Sequence, residues 1–142
     1  MQDIVNERIV SFINSFDRED SEICMTIEKE ARSTYVPIIR KEMGALLKVF
    51  MAMQRPKNIL EVGTAVGYSS ILMGENTDAD TRITTIENYD KRIPIAKENF
   101  AKFGRAEQIT LLEGDATELL KQLNETYDFI FMDAAKGQYI NF

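Results

Sequence analysis

The sequence contains no histidine and a single cysteine, Cys24. Without histidine, zinc sites and histidine-based triads are excluded, and a lone thiol supports neither a disulfide framework nor a cysteine-cluster metal site. Any metal must be held by oxygen. No apolar stretch approaches the roughly 20 residues of a membrane span. The opening MQDIVNERIV has no basic region leading into an apolar run, so it does not read as a signal peptide. With these absences, a reduced thiol fits the cytoplasm. Excess positive charge is lacking too. The 17 lysines and arginines face 23 aspartates and glutamates, and the net charge of -6 excludes nucleic-acid binding by bulk charge alone.

What remains is one domain's worth of chain, 142 residues and 44% hydrophobic, long enough to bury a core. Val5, Ile9, Phe12, Ile13 and Phe16 form one apolar helix stripe, and Met43, Leu46, Leu47 and Phe50 form another. Residues 21–34 between them also read as helix. Pro37 breaks the pattern and Pro56 closes the third helix, so residues 1–55 are expected to be an N-terminal helical extension. Residues 29–57 carry the basic surface candidates Lys29, Arg32, Arg40, Lys41, Lys48, Arg55 and Lys57. Such a run reads equally as a solvated helix face.

After Pro56 the period changes. Short apolar, β-branched runs appear at residues 58–62, 82–86, 108–112 and 127–132, and the first three lead through turns into helix-compatible stretches. Strands alternating with helices predict an α/β fold, a parallel sheet with helices on both faces and right-handed crossovers. Residues 56–142 would be its core, forming one domain with the extension.

In an open parallel sheet, ligands bind beyond the carboxyl ends of the strands. The first end reads Glu61-Val62-Gly63-Thr64-Ala65-Val66-Gly67-Tyr68-Ser69, where Gly63 permits a sharp turn and Gly67 opens a helix. A dinucleotide fingerprint requires glycine where Ala65 stands, which disfavours a nicotinamide-dependent oxidoreductase. The second run leads to Glu87, an acid suited to accept from a ribose diol. The third leads to Gly114-Asp115-Ala116, where Asp115 either accepts from an adenine amino group or caps the following helix. The fourth leads to Asp133-Ala134-Ala135-Lys136, a carboxylate and an ammonium at the mouth of one crevice.

Together these four motifs resemble the S-adenosylmethionine-dependent class I methyltransferases, in particular the cation-dependent, catechol-type O-methyltransferase family, with its Rossmann-like fold. Within it, Asp133 to Tyr139 resembles the bacterial tRNA 5-hydroxyuridine methyltransferases, which modify the wobble uridine. The resemblance implies that Gly63, Glu61, Tyr68 and Ser69 lie about the methionine part of the cofactor. Glu87 would hold the ribose, and Gly114, Asp115 and Ala116 would border the adenine. It further implies that Met43 approaches the sulfonium, that Asp133 binds Mg2+ and that Lys136 is the catalytic lysine, acting as base or as electrostatic stabiliser. Many small-molecule members carry a second acid where Ala135 stands. In the family further strands follow, bringing an Asp-Asn pair to the metal site. With the sequence stopping at Phe142, those strands are expected to be absent and the fourth strand's edge to need a partner.

The leading expectation is therefore a tRNA-modifying O-methyltransferase using S-adenosylmethionine and Mg2+, as a homodimer. The alternatives are a small-molecule catechol-type enzyme and a cofactor-binding fragment without turnover.

Overall fold

The computed structural model describes residues 5–134 together with Gly137 and Ile140. Three helices come first: α1 (Glu7–Asn14), α2 (Glu22–Ser33) and α3 (Lys41–Gln54). Each boundary has a local cause. Asn6 accepts from the Arg8 N–H at 3.0 Å, Ser21 accepts from the Cys24 N–H at 3.1 Å, and α3 stops where Arg55 turns left-handed (φ 45°) before Pro56.

The remaining elements alternate: β1 (Asn58–Val62), α4 (Tyr68–Glu75), β2 (Arg82–Glu87), α5 (Ile93–Lys102), β3 (Ile109–Glu113), α6 (Ala116–Leu119) with a 3-10 turn at Leu120–Gln122, and β4 (Phe129–Met132). The strands run parallel in the order β3-β2-β1-β4. The chain thus winds outward from β1 to β3, then crosses back to place β4 on the other side. This reversal between β1 and β4 is the switch point at which a crevice opens in sheets of this class.

Strand alternation divides the residues between two layers. Ile59, Ile83 and Ile109, aligned across the sheet, pack with Cys24 and Ile27 of α2, Leu47 and Met51 of α3, Ile71 and Leu72 of α4, and Ala96 and Phe100 of α5. Burying each large aliphatic side chain here contributes about 1.5–3 kcal/mol. The N-terminal helices α2 and α3 therefore share the core of the α/β unit. Leu60, Val62 and Ile86 face the other way onto Ala116, with Leu119, Leu120 and Leu123 beside them. Helices cover both faces as expected, but on this second face the described cover is one short helix and a turn, and Ile130 is 54% exposed. By contrast α1 buries no residue, and its stripe is exposed from Val5 through Phe16.

Candidate functional site

A cleft of about 760 Å³ opens at the carboxyl ends of the strands. One wall is the turn after β1. The N–H groups of Gly63 and Thr64 donate to the Ile86 carbonyl at 3.0 and 3.2 Å, and Gly67 closes the turn by donating to the Thr64 carbonyl at 2.8 Å. Gly63 lies at φ 107°, and a Cβ there would fall 2.9 Å from the Asp133 carbonyl carbon and nearer still to its oxygen. Only glycine lets β4's end approach β1 this closely. Ala65 also has positive φ, 49°, a conformation uncommon for alanine. Its N–H donates to Glu87 Oε2 at 2.8 Å, which fixes the turn.

Glu87 lies at the end of β2 with its side chain in the cleft wall. Besides Ala65, the N–H groups of Asn88 and Tyr89 both donate to its Oε1 at 3.0 Å. A carboxylate has about four lone-pair sites. Three are occupied, so Oε2 retains one toward a hydroxyl, and a vicinal diol would have to share or displace the Ala65 N–H for its second bond.

Glu61 departs from expectation. It shares the Ile59 face of β1, is 0% exposed and does not line the cleft. Its carboxylate accepts from the hydroxyls of Ser69, Ser70 and, at 2.6 Å, Thr85. Burial pushes this carboxyl up, and the three hydroxyl donors oppose that rise. Ser69, at the start of α4, does line the cleft. Glu61 therefore meets the cleft wall through Ser69, whose hydroxyl it holds.

Two further candidates do not line the cleft, although Gly67 opens α4 as expected. Gly67 does not line the cleft; it lies at φ 86°, where a Cβ would fall 2.5 Å from the Phe100 ring, so its smallness lets α4 pack on α5. Met43 is 40% exposed on α3 and likewise absent from the cleft. The apolar wall comes instead from Pro37, Ile38 and Ile39, in the link between α2 and α3. Tyr68, Gly114, Asp115, Ala116 and Asp133 all line the cleft as expected. Asp115 caps α6 by accepting from the Thr117 N–H at 2.7 Å, which holds its carboxyl below the usual range.

Asn88, Tyr89 and Arg92 were not anticipated. They follow Glu87 directly, and the Arg92 guanidinium lies 5.1 Å from the Tyr89 ring centre, within cation–π range. Their nearness in sequence to Glu87 is the signal that would have found them.

Lys136 lies outside the described residues. Asp133 is exposed at the end of β4, its N–H donating to the Val62 carbonyl at 3.0 Å. Among the described residues no group of three or more potential ligands could hold a metal. Mg2+ is held through one or two carboxylates with water completing its octahedron, and at this edge the described residues offer Asp133.

Known proteins share this arrangement. The family model described as O-methyltransferase matches residues 15–142. A catechol O-methyltransferase of Niastella koreensis is 32% identical over 108 residues, covering 73% of this chain and 49% of its own. Caffeoyl-CoA O-methyltransferase 5 of Nicotiana tabacum is 36% identical over 109 residues, covering 70% and 44%. Among solved structures, methyltransferase PaMTH1 of Podospora anserina, bound to S-adenosylhomocysteine (SAH), superposes with a TM-score of 0.90 at 27% identity, over 99% of this chain and 62% of its own. TomG of Streptomyces achromogenes, an O-methyltransferase in complex with S-adenosylmethionine, gives 0.81 at 25% identity over 93% and 62%. The chain spans about half the length of the curated relatives it matches. With the family model spanning the strand ends that build the cleft, the chain belongs to the O-methyltransferase family.

Proposed function

We propose that this chain forms the S-adenosylmethionine site of an O-methyltransferase whose acceptor is a hydroxyl of a small catechol- or caffeoyl-type molecule. The observation that carries the reading is Glu87, a carboxylate held in the cleft wall by three backbone N–H groups with one lone pair left for a hydroxyl. When bound, S-adenosylmethionine supplies the activated methyl group. Glu87 accepts from its ribose, Ser69 meets its amino-acid part, and Asp115 and Ala116 border its base. Pro37, Ile38 and Ile39 exclude water from the opposite side. Asp133 stands at the cleft's edge, and Lys136, assigned by resemblance, would assist the acceptor hydroxyl as base or as fixed charge. Mg2+ remains an expectation of the resemblance, and no step is built on it.

The tRNA reading rests on the resemblance of Asp133 to Tyr139 and, in part, on the basic segment of residues 29–57. Four of its seven cations are paired: Arg32 with Glu28, Lys48 with Asp20, Arg55 with Asp78, and Lys57 with Asp78 and Asp80. A surface neutralised in this way offers few cations to phosphates. Named relatives act on catechol and caffeoyl-CoA. Both considerations favour the small acceptor. Self-association through the exposed α1 stripe and a cytoplasmic setting complete the proposal; no described helix is long and apolar enough to cross a membrane.

Calorimetric titration of S-adenosylmethionine, of NAD and of a Glu87→Ala variant tests the reading. Saturable binding of S-adenosylmethionine that Glu87→Ala weakens at least tenfold is expected. Preference for NAD, or indifference to Glu87→Ala, would sink it.

A further inference from the structure

Tyr68 is 3% exposed, opens α4 and lines the cleft next to Ser69, while its side chain belongs to the core. Its hydroxyl donates to Asp20 Oδ2 at 3.3 Å. Asp20 belongs to the loop between α1 and α2 and does not line the cleft. Its other oxygen, Oδ1, is ion-paired with Lys48 of α3, and its side chain is only 13% exposed. Asp20 thus joins the α1–α2 loop, α3 and the first residue of α4. It lines a second cavity, of about 480 Å³, behind that wall.

We propose that Asp20 is a positioning residue for the cofactor cleft: by holding the Tyr68 hydroxyl, it fixes the side chain of a residue in the cleft wall. This rests on the S-adenosylmethionine reading above. The physical basis is the ring's freedom. A tyrosine turns about two side-chain bonds, and anchoring its far end removes that motion before a ligand arrives. Lys48 anchors the anchor, since a carboxylate paired on one oxygen presents the other in a fixed direction. Cys24 and Glu28 of α2 also lie near the phenol, and neither is hydrogen-bonded to it. Among the described residues Asp20 is therefore the one acceptor for this buried donor. The α1–α2 loop, which touches no ligand, would then control ligand affinity.

A double-mutant cycle read by SAH calorimetry on variants shown by circular dichroism to be folded tests this. Asp20→Ala and Tyr68→Phe are each expected to weaken binding about fivefold, the size of one ordinary hydrogen bond. The double variant should lose no more than either alone, because both remove the same contact. Asp20→Asn keeps an acceptor and should bind within about twofold of wild type. A merely structural Asp20 would lower the unfolding temperature without this non-additivity. Should Asp20→Ala fail to fold, the same cycle with Lys48→Met in its place decides. Additive losses, or unchanged affinity in Asp20→Ala, overturn the proposal while leaving the cofactor reading intact. Failure of the wild-type chain to bind SAH overturns both.

Discussion

Gly63→Ala should be among the costliest single-methyl additions in this fold, and Gly104→Ala supplies its control. Gly104 has φ 67° with nothing within 4 Å of the position a Cβ would take. Alanine there carries the left-handed penalty, about 1–2 kcal/mol, partly offset by about 0.4–1 kcal/mol from a stiffer unfolded chain. The net cost is about 1 kcal/mol. Gly63, at φ 107°, lies outside the left-handed well, where strain is of order 1–3 kcal/mol. Its new methyl also meets backbone, the Asp133 carbonyl, which cannot rotate away as a side chain can. Asp133 must shift, straining its 3.0 Å bond to the Val62 carbonyl beside the Val62–Met132 pair. Weakening that buried bond adds about 1–3 kcal/mol. The two terms sum to about 2–6 kcal/mol, centred on about 3 after the same unfolded-chain offset, against about 1. At roughly 2–4 °C per kcal/mol for a chain of this size, scanning calorimetry should show Gly63→Ala melting about 10 °C below wild type, and Gly104→Ala within about 4 °C of it. Equal melting temperatures for the two variants would refute the idea that backbone crowding between β1 and β4 demands glycine.

Other perturbations have calculable signs. Because burial raises the Glu61 carboxyl in the folded state, the native protein binds its proton more tightly than the unfolded chain, so this group's contribution to stability falls as pH rises above 4.5. Glu61→Gln should flatten that slope in urea titrations between pH 5 and 8; an unchanged slope contradicts the burial argument. Asp78 has the opposite sign. Its hydrogen bonds from Lys57 and Arg55 hold it down to about 2 from 3.8, so its contribution is present above 3.8 and lost as pH falls toward 2. Asp78→Asn should remove part of the acid unfolding limb at low salt and little of it in 1 M salt, and a salt-independent effect would contradict an exposed ion cluster. The buried Cys24 thiol, pushed up to about 12, should resist a thiol reagent at pH 8 until denaturant is added. Rapid stoichiometric labelling of the native chain would show that the thiol is reached from solvent.

The strands were legible because β-branched runs between turn residues have few other uses, and all four lie within two residues of expectation. For Asp115 one of the two readings was a helix cap, and capping chemistry is local. Glu87 was legible for the same reason: strand ends face a crevice in any sheet wound this way. For Glu61, alternation says that it shares a face with Ile59 but not that Ser69, Ser70 and Thr85 would surround its carboxylate there. For Met43 and Gly67 the sequence places a residue within a helix or at its start, whereas what that residue touches depends on how helices pack around it. The pairing of the basic run was not legible, for an electrostatic reason. Its counter-charges Asp78 and Asp80 lie more than 20 residues away, and counting by segment cannot see them.

The hydroxyls around Glu61 have one more consequence, found by following their protons. A hydroxyl has a single proton, and while Glu61 is ionised Ser69, Ser70 and Thr85 each direct theirs at its carboxylate. Thr85 then has none for Thr64, 2.6 Å away, so Thr64 must be the donor in that pair. Thr64 and Ser69 both line the cleft, and both have given their protons inward. The two hydroxyls on this stretch of wall therefore show the ligand lone pairs alone. While it is ionised, one buried carboxylate makes two neutral side chains into obligate acceptors, suited to a group that brings hydrogens, such as an ammonium.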